Sequence, residues 1–143
     1  MKVLIDTCVI IDVLQDRKPY SEAAKALFIA SANHAIEGYI TSKSIADIHY
    51  ITHRALHSEV ETRKVLNKLF SLFDILDTTG NDCREATLSP VSDYEDAVMI
   101  CTAAREQMDC IVTRNTKDYS KSTVSVMTPE ELIDVITEQF KES

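Results

Sequence analysis

With 143 residues, 45% hydrophobic and 27% charged, the chain suits one soluble domain with a real core. Only 2 glycines and 3 prolines argue against a turn-rich sandwich or a flexible linker, and no repeat or low-complexity tract breaks the sequence. A net charge of -8 opposes general attraction to nucleic acid, so any such contact must be local, built around bound cations, or completed by a second subunit.

In chain order, residues 2–5 predict a strand that ends on Asp6, with Thr7 and another apolar run directly behind it. Tyr20, Ala23, Ala24, Leu27 and Phe28 share helical spacing and predict a helix over 20–33. A strand is expected at 37–41, then a helix at 42–56 with Ile45, Ile48, Thr52 and Ala55 on one side. Ser58 with Glu61 fits a capping box and opens a helix to about Leu72, its buried stripe being Val65, Leu66, Leu69 and Phe70. A short strand at 73–76 and a weakly marked helix near 80–89 follow. Ser92 with Glu95 suggests a second capping box and a helix to about Gln107, with Ala97, Ile100, Cys101 and Ala104 facing inward. Strands are expected at 110–113 and 124–127. Thr128 and Glu131, with Pro129 at the first helical position, begin a last helix to about Phe140.

Short apolar strands thus alternate with helices from end to end. The pattern predicts an α/β domain over residues 1–143: three layers, α/β/α, around a central parallel sheet of about five strands. No apolar stretch approaches the ~20 residues of a membrane span. The N-terminus has one lysine and then Asp6 and Asp12 inside its apolar stretch, unlike a secretory signal, so a cytoplasmic location is expected. Cys8, Cys83, Cys101 and Cys110 form no C-x-x-C pair and read as reduced, mostly packing thiols.

Sites in parallel α/β sheets form where the strands end at their carboxyl side. Asp6 stands at such an end. Asp47 follows the second strand, Asp93 and Asp96 open the helix ahead of the strand at 110–113, and Asp118 follows that strand. Carboxylates converging from these points would repel one another, and a hard divalent cation relieves the repulsion. Mg²⁺ or Mn²⁺ on oxygen ligands suits phosphate-bearing substrates, which points to a metal-dependent nuclease or phosphatase. Taken singly, each acid has a structural alternative. Glu95 and Asp93 fit helix capping, Asp118 fits a turn, and Asp47 fits a solvated helix face. Asp6 is hardest to explain that way, because an acid after an apolar strand is desolvated without a partner.

Four stretches, in order, carry a family resemblance: "VLIDTCVIIDVL", "ITSKSIADIHYI", "SDYEDAVMICTAA" and "CIVTRNTKDYS". The chain resembles PIN domains, the metal-dependent ribonuclease fold of many VapC-like toxins, and "VSVMTPEEL" fits the family's last strand and helix. The resemblance implies that Asp6, Asp96 and Asp118 bind Mg²⁺ or Mn²⁺, and that Asp47 takes part directly or through water. Asp47 departs from the family's usual Glu by one methylene, and Asn115 stands where some relatives have Asp, so the last ligand lies between Asn115 and Asp118. Thr7 and Thr113, and more weakly Ser44, are implied to hydrogen-bond near the acids. Arg114, Lys117 and Lys121 are either a polar turn or a phosphate-contacting patch.

His49, His53 and His57 recur every four residues and could hold a transition metal, but no His-Glu-x-x-His pattern or nearby cysteine supports this over a solvated stripe. The function implied by the resemblance is an endoribonuclease, the toxin of a toxin–antitoxin pair, forming a homodimer and held by a small antitoxin protein. A housekeeping RNA-processing nuclease and a catalytically weakened scaffold that binds RNA or protein are the alternatives.

Overall fold

The structure is a computed structural model and describes residues 1–142. The elements run β1 (Lys2–Ile5), α1 (Thr7–Leu14), α2 (Ser21–Ala32), β2 (Glu37–Thr41), α3 (Ser42–Leu56), α4 (Glu59–Leu72), β3 (Asp74–Leu76), α5 (Gly80–Ala86) and α6 (Tyr94–Arg105). After them come β4 (Cys110–Val112), a 3₁₀ turn (Thr116–Tyr119), β5 (Val126–Met127) and α7 (Pro129–Glu142).

The five strands form one sheet in the order β3-β2-β1-β4-β5, with every neighbouring pair parallel, as the alternating pattern predicts. β1 is central. Its Val3 and Ile5 enter one core with Cys110 and Val112 of β4, while Leu4 and Ile111 enter the other. The first core is closed by α1, α2, α3, α4 and α7, the second by α5 and α6. Coverage on both faces explains why β1 and β4 read as unbroken apolar runs rather than alternating ones. Among the described residues, no helix is long and apolar enough to cross a membrane.

The element map departs from the sequence reading at several points. The run after Asp6 is a helix, α1, which the pattern did not announce. Val9, Ile10, Ile11 and even Asp12 are buried, so the helix shows no polar face from which a period could be read. β1 ends where the Asp6 amide donates to the Val112 carbonyl (2.9 Å), and α1 begins where the Asp6 carbonyl accepts from Val9 (3.1 Å). Helix α6 is capped by Asp93, not Ser92: its side chain accepts the Asp96 amide at 3.0 Å. Aspartate caps as well as serine and stands one residue nearer. Helix α5 stops at Ala86, and the predicted stripes narrow at their edges, with Phe70 46% exposed and Ala55 and Ala104 on the surface.

A buried polar knot ties α5 to α6. Thr79 and Asp82 form a reciprocal capping box, and Asp82 also accepts from the Thr102 hydroxyl (2.8 Å) and from Arg105 Nε and Nη2 (3.0 Å each). Burial pushes the Asp82 carboxyl up, but Arg105, the Thr79 amide and the Thr102 hydroxyl outweigh it and bring its pKa down to about 2.

Candidate active site

At the carboxyl rim of the sheet lies a cleft of about 390 Å³, lined by Asp6 and Thr7 of the β1–α1 junction, Lys43, Ser44 and Asp47 of α3, and Glu95 and Asp96 of α6, among others. Its position follows from the topology. β1 and β2 are neighbours in the sheet, so the segments leaving their ends converge, and α6 leads into β4 on the other side of β1.

Asp6 sits at the N-cap of α1 yet makes no side-chain capping bond. Instead its Oδ2 accepts from the Thr113 hydroxyl (2.8 Å), with the Tyr119 hydroxyl at 3.4 Å and the Cys8 thiol at 3.7 Å. The Tyr119 hydroxyl donates its shorter bond, 2.9 Å, to Asp96 Oδ1. A single buried phenol therefore links the two acids, one from residue 6 and one from residue 96. Tyr119 is only 2% exposed and is held by packing into the second core.

The electrostatics are those of crowded acids. Burial raises the pKa of Asp6, against the pull of the Thr113, Thr7, Cys8 and Tyr119 donors. Asp96 is raised to about 6, first by burial and then by the charges of Asp93, Asp6 and Asp118, with the Tyr119 hydroxyl pulling the other way. The Tyr119 phenol is itself driven upward by burial and by both carboxylates, so it stays a proton donor. The same crowding and burial keep Cys8 a thiol.

The predicted residues divide into groups. Asp6, Asp47, Asp96 and Thr7 share the cleft, and Thr113 bonds Asp6 from beneath. Asp47 does not turn to the other acids: its Oδ2 lies 2.6 Å from Lys43 Nζ, which also reaches Glu95 Oε2 at 3.2 Å. Asp118 is exposed on the 3₁₀ turn and is felt at Asp96 through its charge. Asn115 is also exposed, and its amide donates to the Thr113 hydroxyl (3.2 Å). Asp93 acts as the α6 cap, and Ser44 is buried, joined to Thr41 (3.0 Å).

Arg114 faces away from the acids. Its Nε lies 2.8 Å from Oδ2 of Asp12, which is 1% exposed, and its guanidinium stacks 4.2 Å from the Tyr20 ring centroid. The pairing is chiefly electrostatic, because Asp12 Oδ1 and Arg114 Nε have no well-aligned hydrogen-bond partner. Removing one member of a buried pair strands the other charge. Arg114→Ala should therefore cost about 3 kcal/mol, lowering the thermal midpoint by roughly 6–12 °C. An unchanged midpoint would show that the side chain does not support the fold. Lys117 and Lys121 remain exposed on the loop after β4.

His49 and His53 come together beside Glu59, and His57 does not join them. His49 Nε2 lies 3.0 Å from both Glu59 oxygens, His53 stacks on His49 with centroids 5.9 Å apart, and His57 ends α3 in the left-handed region.

Three cleft features escaped the sequence reading: the Tyr119 bridge, Lys43, and Glu95 as an ion-pair partner. Tyr119 lies within the quoted stretch "CIVTRNTKDYS", and Lys43 follows a strand end like the acids do. Those were the only signals available.

Among the described residues, no three His, Cys, Asp or Glu side chains already form a metal cage. The donor set nevertheless fits a hard cation. Mg²⁺-type ions keep most of their water and take one or two carboxylates rather than a full protein cage. Asp6 and Asp96 supply such oxygens, and a cation would relieve the part of the upward shift at Asp96 that comes, after burial, from the neighbouring carboxylates.

No curated protein matches the chain in sequence. Solved structures do match its fold. A toxin–antitoxin complex from Klebsiella pneumoniae is 25% identical, with a TM-score of 0.64 over 89% of this chain and 97% of that one. DNA-bound VapBC from Salmonella typhimurium is 17% identical, with a TM-score of 0.68 over 90% and 98%. A sarcin–ricin-loop-cleaving VapC toxin from Mycobacterium tuberculosis is 11% identical, with a TM-score of 0.60 over 76% and 86%. The family model of the PIN domain matches residues 2–117, and the chain belongs to that family.

Proposed function

We propose that this PIN domain is a divalent-metal-dependent endoribonuclease and the toxin of a toxin–antitoxin pair. The observation that carries the reading is the meeting of Asp6 and Asp96 under one tyrosine hydroxyl in the rim cleft. Family membership and the likeness to toxin complexes support the choice of chemistry and of partner.

Asp6 and Asp96 would hold Mg²⁺ or Mn²⁺, with Asp118 reaching in from the 3₁₀ turn. When bound, the cation supplies charge neutralisation and Lewis acidity at the scissile phosphodiester. The chain's own part is preorganisation. Thr113 and Tyr119 each hold an oxygen of these acids, which fixes how the two carboxylates face the cleft. Tyr119 keeps its proton on Oη and so holds two like charges together. Asp47 serves this site through Lys43. The partners proposed are single-stranded or structured RNA as substrate, a second copy of the chain, and a small antitoxin protein.

The test is cleavage of single-stranded RNA, tRNA and DNA by the purified protein with Mn²⁺ or Mg²⁺ and with EDTA. RNA cleavage that EDTA abolishes is expected. A protein that cuts no RNA and shows no Mn²⁺ affinity dependent on Asp6 is instead a binding scaffold, the reading to which the departures at Asp47 and Asn115 point.

A further inference from the structure

We propose that Lys43 is the residue that grips a phosphate of the RNA, a role built on the nuclease reading above. The named cleft lining carries four carboxylates, Asp6, Asp47, Glu95 and Asp96, against the single ammonium of Lys43. A polyanion entering there meets net negative charge, in a chain that is already at -8. Some cationic group must greet it beyond the metal. Arg114 cannot, because it is tied to Asp12 and Tyr20. Lys117 and Lys121 lie on an exposed loop and do not line the cleft.

Lys43 is well placed for the task. It is the second residue of α3, directly beyond the end of β2. Its Nζ is suspended between the two walls, 2.6 Å from Asp47 Oδ2 on its own helix and 3.2 Å from Glu95 Oε2 on α6. An ammonium has three donors. Two are directed at these carboxylates, and the third is left for an incoming oxygen. The side chain is 39% exposed, so that donor is reachable from solvent. Exposed ion pairs contribute little to stability, so the value of this arrangement lies in aiming the ammonium rather than in holding the fold. A long flexible lysine would otherwise lose its rotamer freedom only when RNA bound. Asp47 and Glu95 are then positioning residues that act through Lys43. The Asp47 carboxylate lies one helical turn from residue 43, on the same helix face. An ammonium also repels a divalent cation, which makes an anionic phosphate its natural ligand and not a metal-bearing group.

The experiment compares the parent with Lys43→Met, Lys43→Gln and Lys43→Arg in steady-state cleavage of a short labelled single-stranded RNA with Mn²⁺, over a series of salt concentrations. Mn²⁺ affinity is measured separately without RNA by calorimetry. Lys43→Met should raise KM about tenfold with kcat held within about twofold, the pattern of lost uniform binding. The slope of log KM against log salt should fall by about 0.7, one phosphate contact on a single strand. Lys43→Arg should restore most of the affinity, and Mn²⁺ binding should be unchanged or tighter in Lys43→Met. Lys43→Gln keeps a donor for Asp47 and Glu95 without the charge, so it carries the test if the Met variant folds poorly. An unchanged KM, or a raised KM with an unchanged salt slope, overturns the role of Lys43. A parent that cuts no RNA overturns the nuclease reading itself, a result separate from either.

Discussion

Asp96→Asn is expected to abolish RNA cleavage while making the metal-free protein more stable. The loss of cleavage should be at least about 100-fold, because one of the two converging acids can no longer hold a cation. The gain in stability follows from burial first and from the neighbouring charges second. Asp96 has its pKa raised to about 6 from an ordinary 3.8 by burial and by Asp93, Asp6 and Asp118. Between those values the folded chain holds a proton that the unfolded chain has released. The favourable contribution is therefore complete below pH 3.8 and is lost as pH rises through about 6. Asparagine carries no such loss, and its amide oxygen can still accept from Tyr119. A two-unit displacement corresponds to about 3 kcal/mol, which solvent screening of a partly exposed group reduces to about 1–2 kcal/mol. In EDTA at pH 7 the variant should melt about 3–6 °C above the parent, and its advantage should vanish near pH 4. A variant that melts below the parent at pH 7 would mean that the acids are not held against their repulsion. Asp6→Asn should lose cleavage as well.

Asp82→Ala should be the most destabilising single change among the charged residues discussed. The side chain accepts from the Thr79 amide, the Thr102 hydroxyl and two Arg105 nitrogens, and it is buried. Removing it leaves the Thr79 amide without its side-chain acceptor, leaves Arg105 with only Glu106 and the Asp77 carbonyl, and unties α5 from α6, at a cost of about 3–5 kcal/mol. For a chain of this size that is a fall of roughly 10 °C or more in the melting midpoint. The sign with pH is opposite to that of Asp96. The Asp82 pKa is depressed to about 2, so its contribution is fully present above 3.8 and lost as pH falls toward 2. Urea denaturation at pH 7 and at acid pH checks both points: the gap between parent and variant should close on acidification. A gap of less than 1 kcal/mol at pH 7, on the order of an exposed ion pair, would place the knot at the surface in energetic terms.

How far the sequence revealed this depends on the range of each interaction. Strand and helix alternation is local, and it led to a five-stranded parallel sheet that the structure has. Capping at Ser58 is also local and was legible: its side chain accepts the Glu61 amide at 3.2 Å. The α6 cap was misread by one residue because Ser92 and Asp93 are both good caps and only geometry separates them. Helix α1 was missed because Thr7–Leu14 is apolar on nearly every side. The acids could be named from their stations at strand ends, since topology alone brings such ends to one rim. What they touch could not. The Tyr119 bridge, the Arg114–Asp12 pair and the reach of Lys43 to Glu95 join residues far apart in the chain, and no spacing rule relates their side chains. Asp47 shows the limit most clearly. Its place in the cleft was legible, but its partner is Lys43, four residues earlier on the same helix.

The central position of β1 has a consequence for synthesis. Asp6 is made more than 100 residues before the groups that steady it, the hydroxyls of Thr113 and Tyr119 and the Val112 carbonyl that anchors its backbone amide. The rim cleft therefore stays unassembled until β4 and the 3₁₀ turn have been translated. A fragment that ends before β4 leaves Asp6 without any of these anchors.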